Sequence, residues 1–376
     1  MEEHRADFLV IGGGIAGVSA AAWLARRGRT IVLERESQPG YHATGRSAAL
    51  YTEHYGNAAV RALTRASGRF LKSPPTGFAE HPVLTPRGLL FLARSDQRVA
   101  LAALESEMRE VGAAPKALTW PEATALVPIL SPDYGESALL DPDAADIDVH
   151  GLLQGYLRAF RRAGGALVCE AEVTALDRSG GTWIAATARD RFAAPVLIDA
   201  AGAWADDLAA LAGLPPLAIA PLRRSLATVA APEGLPISDW PMVNDVEERF
   251  YIKPDAGRLL LSPGDETPSP ACDAQADDLD IARAVDRVER ATVLKVRRIL
   301  RSWAGLRSFT PDRTPVVGFD PLAEGFFWLA GQGGYGIQTS AALGPLAAAL
   351  AAGERPPAEI AAEGIEVAGL SPARLR

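Results

Sequence analysis

The first apolar run of the chain, Phe8 to Ile11, is continuous rather than alternating, as in a strand buried on both faces. Small and apolar positions at helical spacing follow from Ile15 to Arg27, with Gly28 as the expected C-terminal stop. A second apolar run, Thr30 to Leu33, ends in Glu34. The pattern predicts strand, helix, strand. Two more strand–glycine–helix units read the same way: "APVLIDAAGAWADDLAALAG" from Ala194 and "GFFWLAGQGGYGIQTSAALGPLAAALAAG" from Gly325. Between them, helical patterning covers Asn57 to Leu71, Gln97 to Val111, a long segment starting at Asp148, and Asp280 to Arg290. "TWPEATALVP" reads as a short capped helix. Leu89 to Leu92 is strand-like, and Leu167 to Val173 and Trp183 to Thr187 alternate like strands of a small sheet. Pro215 to Phe309 mixes strands and turns.

Strand–glycine–helix units at the beginning, middle and end, with strand-rich inserts between, predict a discontinuous α/β architecture, α+β overall. The expected nucleotide domain is Rossmann-type and takes residues 1–75, 143–214 and 300–376. The expected substrate domain is built on a mixed β-sheet and takes 76–142 and 215–299. A chain of 376 residues, 48% hydrophobic, is long enough for two such bodies. Its net charge of −8 argues against a nucleic-acid partner. Cys169 and Cys272 are far apart and form neither a metal motif nor a disulfide framework, which suits a reducing, cytoplasmic compartment. No apolar run is long enough to cross a membrane, since the Ala-rich stretch from Ser340 is short and carries Pro345. Peripheral contact with a membrane surface stays open. The first strand begins within the first ten residues, so no cleaved leader is expected.

Gly12, Gly14 and Gly17 make a G-x-G-x-x-G between the first strand and the first helix, and Glu34 follows about 20 residues on. Gly12 allows the tight turn. Gly14 lets the backbone approach a pyrophosphate, and Gly17 lets helix and strand pack closely. The helix N-terminus offers free N–H groups to the anion, and Glu34 can accept from ribose hydroxyls. A bare glycine turn would not need the second strand and its acid. NAD and FAD fit this motif equally well. A ligand touched by both ends of the chain favours FAD, because NAD units are usually contiguous.

Taken in order, the N-terminal fingerprint, "GYHATGRSAALYTEHYGN", "LIDAAGAWADDLAALAG", "FYIKPDAG", "WAGLRSFTPDRTPVVG" and "AGQGGYGIQTSAA" resemble the FAD-dependent D-amino acid oxidase/dehydrogenase superfamily. Within it the likeness is greatest to bacterial D-arginine dehydrogenases. The blocks span Asp7 to Ala342. The resemblance implies noncovalent FAD held by Ala16, Glu34, Arg35, the Ala43–Leu50 segment (Thr44, Gly45, Arg46, Ser47, Ala48), Val173, and the turn Gly333, Gly334, Tyr335, Gly336, Ile337, Gln338. Ala201, Gly202 and Trp204 belong to the same expected set. His42 is expected to make no covalent link. A helix opened by Gly333–Gly336 would place its positive end near the anionic edge of reduced flavin.

The resemblance also implies that Arg307 grips a substrate carboxylate, that Arg224 is a second basic contact, that Tyr55 and Tyr251 touch substrate, and that the Gly334 carbonyl accepts from the amine. The planar fork of arginine suits a carboxylate. Hydride transfer from Cα would give an imino acid, then a 2-oxo acid and ammonia. Lys253 is expected to be a structural cation, and His54 to point away from the site. The chain departs from the D-arginine dehydrogenase pattern in the expected side-chain pocket of Leu50, Thr52 and Leu89. Leucines replace a histidine at 50 and a glutamate at 89 that grips the guanidinium. An unpaired buried guanidinium costs about 3–5 kcal/mol. A buried apolar side chain instead gains about 1.5–3 kcal/mol. The expected substrates are therefore D-amino acids with apolar side chains, with electrons passed to a quinone or another acceptor.

Three alternatives stand beside this. A secondary amino acid such as D-proline or sarcosine needs the same carboxylate arginine. A 2-hydroxy acid dehydrogenase would recruit a histidine base. A flavin-binding subunit without turnover would not need Arg307. No metal site is expected, and no second dinucleotide motif is present to receive NAD(P)H.

Overall fold

The computed structural model describes residues 2–376. The glycine-flanked apolar runs form one six-stranded sheet, in the order Ala166–Val168, Thr30–Leu33, Phe8–Ile11, Val196–Asp199, Phe326–Ala330, Val316–Phe319. Neighbours are parallel except for the last pair. Continuous apolar runs are what such a sheet requires, because both of its faces are covered. Phe8, Val10, Val32, Ile198 and Phe327 pack against the helices Ile15–Leu24, Val149–Arg162 and Gly336–Ala351. Leu9, Ile11, Leu33, Leu197 and Trp328 pack against a four-stranded sheet and the helix Ala205–Leu211.

The first and last long helices lie directly on one another, with a Cβ on Gly344 only 3.0 Å from Ser19. The Ala-rich C-terminal stretch is therefore a buried core helix that carries Pro345. No helix among the described residues is long and apolar enough to cross a membrane.

The second body is a nine-stranded mixed sheet whose backbone order runs Thr267–Pro268, Ala220–Ala230, Arg258–Ser262, Tyr251–Asp255, Met242–Asp245, Leu89–Ala93, Ser137–Asp141, Lys116–Thr119; Arg301–Phe309 also pairs with Ala220–Ala230. One face carries Leu90, Val243, Ile252, Leu259 and Leu261 beneath the helix Asp278–Ala291. The other carries Leu89, Phe91, Leu139, Met242, Tyr251 and Leu260, and Ala48 and Leu50 pack on it. A short three-stranded sheet, Leu50–Tyr51, Ala145–Ile147 and Leu84–Pro86, ties the two bodies together.

Four expectations change. The Leu167–Val173 segment supplies only Ala166–Val168 as strand, and that strand extends the large parallel sheet instead of a small one. The first helix ends at Leu24 rather than Arg27. Gly28 serves close approach, because a Cβ there would meet Asp7 Oδ2 at 2.6 Å, and Asp7 accepts from the Arg29 N–H at 2.7 Å. Arg301–Phe309, grouped with the nucleotide segments by its place in the chain, belongs to the nine-stranded sheet, so a boundary at 300 does not separate the sheets. Cross-strand pairing outweighs sequence proximity here.

The loop after this strand is held by Asp312. Its carboxylate accepts from Thr310 Oγ1 (2.9 Å), the Thr314 N–H (3.0 Å) and Arg374 Nε (2.8 Å). Burial works against its charge, but these donors outweigh it and hold the carboxyl at about 2, against 3.8 for an ordinary aspartate. Taken whole, that shift is worth about 2.5 kcal/mol. The side chain is 43% exposed, and solvent screening reduces the figure to about 1 kcal/mol. The folded state favours the carboxylate. Its contribution is therefore present above about pH 4 and is lost as pH falls toward about 2. Asp312→Asn should lower the urea midpoint at pH 7 and weaken the further loss of stability across that acid window. An unchanged acid profile would show that Asp312 does not carry the effect.

Candidate functional site

The C-terminal ends of the parallel strands open into a cleft of about 480 Å3 lined by residues from Ile11 to Ile337. Two helix N-termini meet it. Gly14 caps the first helix without a side-chain hydrogen bond, and no acid occupies its first turn. Tyr335 caps the last long helix in the same bare way. Gly14, Ala16, Gly333, Gly334, Gly336 and Ile337 line the cleft. Both ends direct N–H dipoles that no acid of their own first turn neutralises to one space, an anion-binding arrangement.

The glycine turn needs its glycines. Gly12 has φ +113°, and a Cβ there would lie 2.3 Å from the Ala200 carbonyl oxygen. A Cβ on Gly17 would lie 2.0 Å from the Gly12 carbonyl oxygen, so Gly17 serves packing behind the cleft. Glu34 is buried and lines the cleft, and its oxygens accept the Gly13 N–H (2.8 Å) and the Glu36 N–H (2.9 Å). Burial raises its pKa, partly offset by those two N–H groups. Asp199, at the end of the central strand, accepts the Ala201 N–H at 3.0 Å, and burial pushes its carboxyl well above the usual range.

One end of the cleft is aromatic and charged. Arg35 lies over Trp204 at 4.6 Å, and His42 tilts against the same ring at 4.7 Å. Arg35 donates to Glu172 and His42 meets Glu36, both at 2.8 Å. Thr44 Oγ1 accepts the Ile15 N–H at 3.0 Å, which ties the 40–48 loop to the first helix. Arg46, Ser47, Ala48, Val173, Ala201 and Gly202 also line the space. Gly45 and Gln338 do not. Gly45 donates to the Gly40 carbonyl at 2.7 Å, and Gln338 joins Thr64 at 3.0 Å. Tyr335 packs edge-on to Tyr55 and Phe309, and burial pushes its hydroxyl up to about 12.

At the other end Arg224, Tyr251, Arg307 and Gly334 line the cleft together. Arg224 and Gly305 are register partners on neighbouring strands, so Arg224 and Arg307 leave the same sheet face. Arg224 is 5% exposed; its Nε donates to the Asp265 carbonyl at 2.7 Å, and Nη2 reaches Glu266 only at 3.5 Å. Glu266 is engaged by Arg313, with both of its oxygens 2.8 Å from Nη2.

Arg307 is set deep in the cleft floor. Its side-chain hydrogen bond goes from Nη1 to the Tyr55 hydroxyl at 3.4 Å, and it makes no salt bridge to a carboxylate among the described residues. Burial opposes its charge, yet Tyr55, Tyr251 and Glu248 hold it protonated. A Cβ on Gly334 would sit 3.1 Å from the guanidinium carbon, so that glycine lets the turn close over Arg307.

The expected side-chain pocket lies beside this floor. Leu50 and Leu89 share an apolar cluster with Phe91, Met242 and Tyr251. Thr52 turns away, donating to Asp141 Oδ2 at 3.0 Å; His54 Nε2 meets the same oxygen at 3.1 Å. Lys253 pairs with Asp146 at 2.9 Å. The sequence reading missed Asp141, and it missed Cys272 and Ala274, which line the cleft although their segment lies in the region expected to form the substrate domain. Arg46 and Tyr41 connect that segment to the motif: Arg46 donates to the carbonyls of Ala274 (2.8 Å) and Ala304 (3.0 Å) and pairs with Asp273, and the Tyr41 hydroxyl donates to Asp273 at 3.4 Å. No local pattern announces such a contact.

A family model described as DAO, FAD dependent oxidoreductase, matches residues 7–350. The chain is 26% identical over 356 residues to mitochondrial dimethylglycine dehydrogenase of Rattus norvegicus, covering 89% of this chain and 41% of that protein. It thus spans less than half the length of that relative. It is 25% identical to glycine oxidase of Geobacillus kaustophilus (strain HTA426), covering 92% and 93% of the two chains. The crystal structure of glycine oxidase from Geobacillus kaustophilus superposes with a TM-score of 0.83 over 98% of both chains at 25% identity. That of L-proline dehydrogenase from P. horikoshii shares the fold, with a TM-score of 0.82 over 100% and 98% at 22% identity.

Both bare helix ends, the cradle at Gly14 and the Arg35–Trp204–His42 stack fit a dinucleotide laid along the cleft. Arg46→Ala removes the arginine's tie between the motif loop and the 272–274 segment. It should weaken FAD binding by about tenfold, about 1.4 kcal/mol, read from flavin fluorescence on titration of the apoprotein. Unchanged affinity would show that this tie plays no part in retention.

Proposed function

The chain belongs to the DAO family of FAD-dependent oxidoreductases, and on that premise we propose that it oxidises the Cα–N bond of D-amino acids with apolar side chains. The observation that carries this reading is Arg307, a deep guanidinium in the cleft floor with no carboxylate partner among the described residues. A half-buried cation on a cleft floor is stabilised when its charge is answered, and a substrate carboxylate would answer it bidentately. Arg224 on the same sheet face adds a second cation, and Glu266 is already committed to Arg313. The Leu50–Leu89–Phe91–Met242 wall is apolar, and the charged groups beside it are already engaged: Asp141, the register partner of Leu89, holds Thr52 and His54, and Lys253 pairs with Asp146, so a charged side chain would find no free partner there.

FAD, when bound noncovalently, supplies the acceptor for the two electrons leaving Cα as a hydride. Arg307 fixes the carboxylate and Tyr55 supports it. The Gly334 carbonyl accepts from the amine, which must first lose a proton to be oxidised. Tyr251 and the leucines exclude water from the side chain. The imino acid leaves and hydrolyses in water to a 2-oxo acid and ammonia. His54 is tied to Asp141 and contributes no base, which disfavours the 2-hydroxy acid reading.

A second reading is oxidation of a secondary or tertiary amino acid, favoured by the relatedness to dimethylglycine dehydrogenase. The same arginine serves it. Anaerobic mixing with D-Leu, D-Arg, L-Leu, D-Pro and sarcosine separates the two. Flavin bleaching by D-Leu well ahead of D-Arg supports the proposal, bleaching chiefly by D-Pro or sarcosine supports the second reading, and bleaching chiefly by D-Arg overturns the apolar pocket. Arg307→Gln should reduce kcat/KM by about 100-fold or more, mostly through KM, while the protein retains FAD. Unchanged KM would remove Arg307 from the carboxylate site.

A further inference from the structure

On the cleft-facing side of the nine-stranded sheet one row runs Leu139, Phe91, Asn244, Tyr251 as register partners. The next row pairs Met242 with Leu89 and Leu89 with Asp141. Side chains in register share a face, so Asn244 stands between Phe91 and Tyr251, two residues along the strand from Met242. Phe91, Leu89, Met242 and Tyr251 form the apolar cluster on which Leu50 packs, and Tyr251 reaches the cleft lining. Asn244 is the amide in this apolar surround. Its Oδ1 is buried without a hydrogen-bond partner, although the residue as a whole is only half-buried. An orphaned buried acceptor is costly, and strands favour apolar residues at such places. The backbone does not require asparagine in mid-strand, so packing alone does not account for it.

Building on the amino acid reading above, we propose that Asn244 determines side-chain specificity: rotation about its terminal bond turns Oδ1 from its buried position to the open side of the half-buried amide, where it accepts one hydrogen bond from a donor on an otherwise apolar substrate side chain. The substrate class this describes is an aromatic amino acid with a polar tip, carrying a phenol hydroxyl or a ring N–H, or a shorter apolar side chain with one hydroxyl. A fully apolar side chain would still bind by burial but would leave Oδ1 unanswered. A charged tip would meet one neutral acceptor, with Asp141 of the next row already held by Thr52 and His54.

The test compares pairs of equal shape that differ in one donor, using the FAD-loaded full-length protein: D-Tyr with D-Phe, D-Trp with its benzothienyl analogue, and D-Thr with D-Val. At least one pair should show kcat/KM about tenfold or more higher for the donor-bearing member. Asn244→Val keeps a good strand former and should remove or reverse that preference at unchanged FAD content and Tm. Binding is measured separately, by perturbation of the flavin spectrum with 4-hydroxyphenylpyruvate and phenylpyruvate, which need no turnover. If no amino acid bleaches the flavin yet the hydroxylated acid binds more tightly in the wild type and not in Asn244→Val, the substrate reading fails and the role of Asn244 stands. Equal treatment within every pair, in both turnover and binding, overturns the proposal. A preference that survives Asn244→Val also overturns it.

Discussion

A positive charge set deep in protein without a carboxylate partner is the constraint around which the substrate end is organised. Arg307 sits on an edge strand of the nine-stranded sheet that pairs along its whole length with Ala220–Ala230. It is therefore held rigidly where a flexible surface arginine would move. Gly334 lacks the side chain that would collide with it, and Tyr55 offers only a neutral hydroxyl. Burial weakens the charge's solvation and strengthens its attraction for an incoming anion. The same isolation that makes the site costly in the free protein is what the proposed carboxylate contact would relieve.

The cofactor cleft follows a related logic with dipoles in place of charges. Two helices end bare at the same opening, one from each end of the chain, and they pack on each other through Ser19 and Gly344. Their contact fixes the angle between the two N-termini, so the anion site and the flavin edge are set by core packing and not by loops. Glu34 and Asp199 stand at the ends of the two strands that flank Phe8–Ile11, and each carboxylate accepts a backbone N–H of a turn. They stiffen the cleft before any ligand enters.

Apolar and polar demands are sorted by sheet face. One face of the nine-stranded sheet is sealed by a helix, and the other looks toward the cleft through Leu89, Phe91, Met242 and Tyr251. The polar groups on this side are mostly used up: Thr52 and His54 on Asp141, and Lys253 on Asp146. Among those left open are the Arg307 guanidinium, which has no carboxylate partner, and the Asn244 Oδ1 and the Thr228 hydroxyl, which have no hydrogen-bond partner. The protein thus presents few, separated polar contacts within an apolar wall.

Local pattern was enough for the parallel core and the glycine turn. Continuous apolar runs with period-matched helices and Gly12, Gly14 and Gly17 need only short-range sterics to be read. The cap at Thr119 was likewise legible, because a cap is a contact within three residues, and the helix starts at Asn57 and Asp148 were placed by periodicity. The carboxylate arginine and the leucine pocket came from the likeness of ordered blocks to a family. Other features were decided only by tertiary structure. These are the move of Ala166–Val168 into the main sheet, the place of Arg301–Phe309 in the other sheet, the fold-back of Cys272 and Ala274 over the cleft through Arg46, and the turning of Thr52 toward Asp141. Asn244 looked like any polar residue in a strand-rich stretch until its register partners were known. Such partners lie far apart in sequence, and which of them meet is set by pairing and burial across the whole chain, a choice no local window of residues contains.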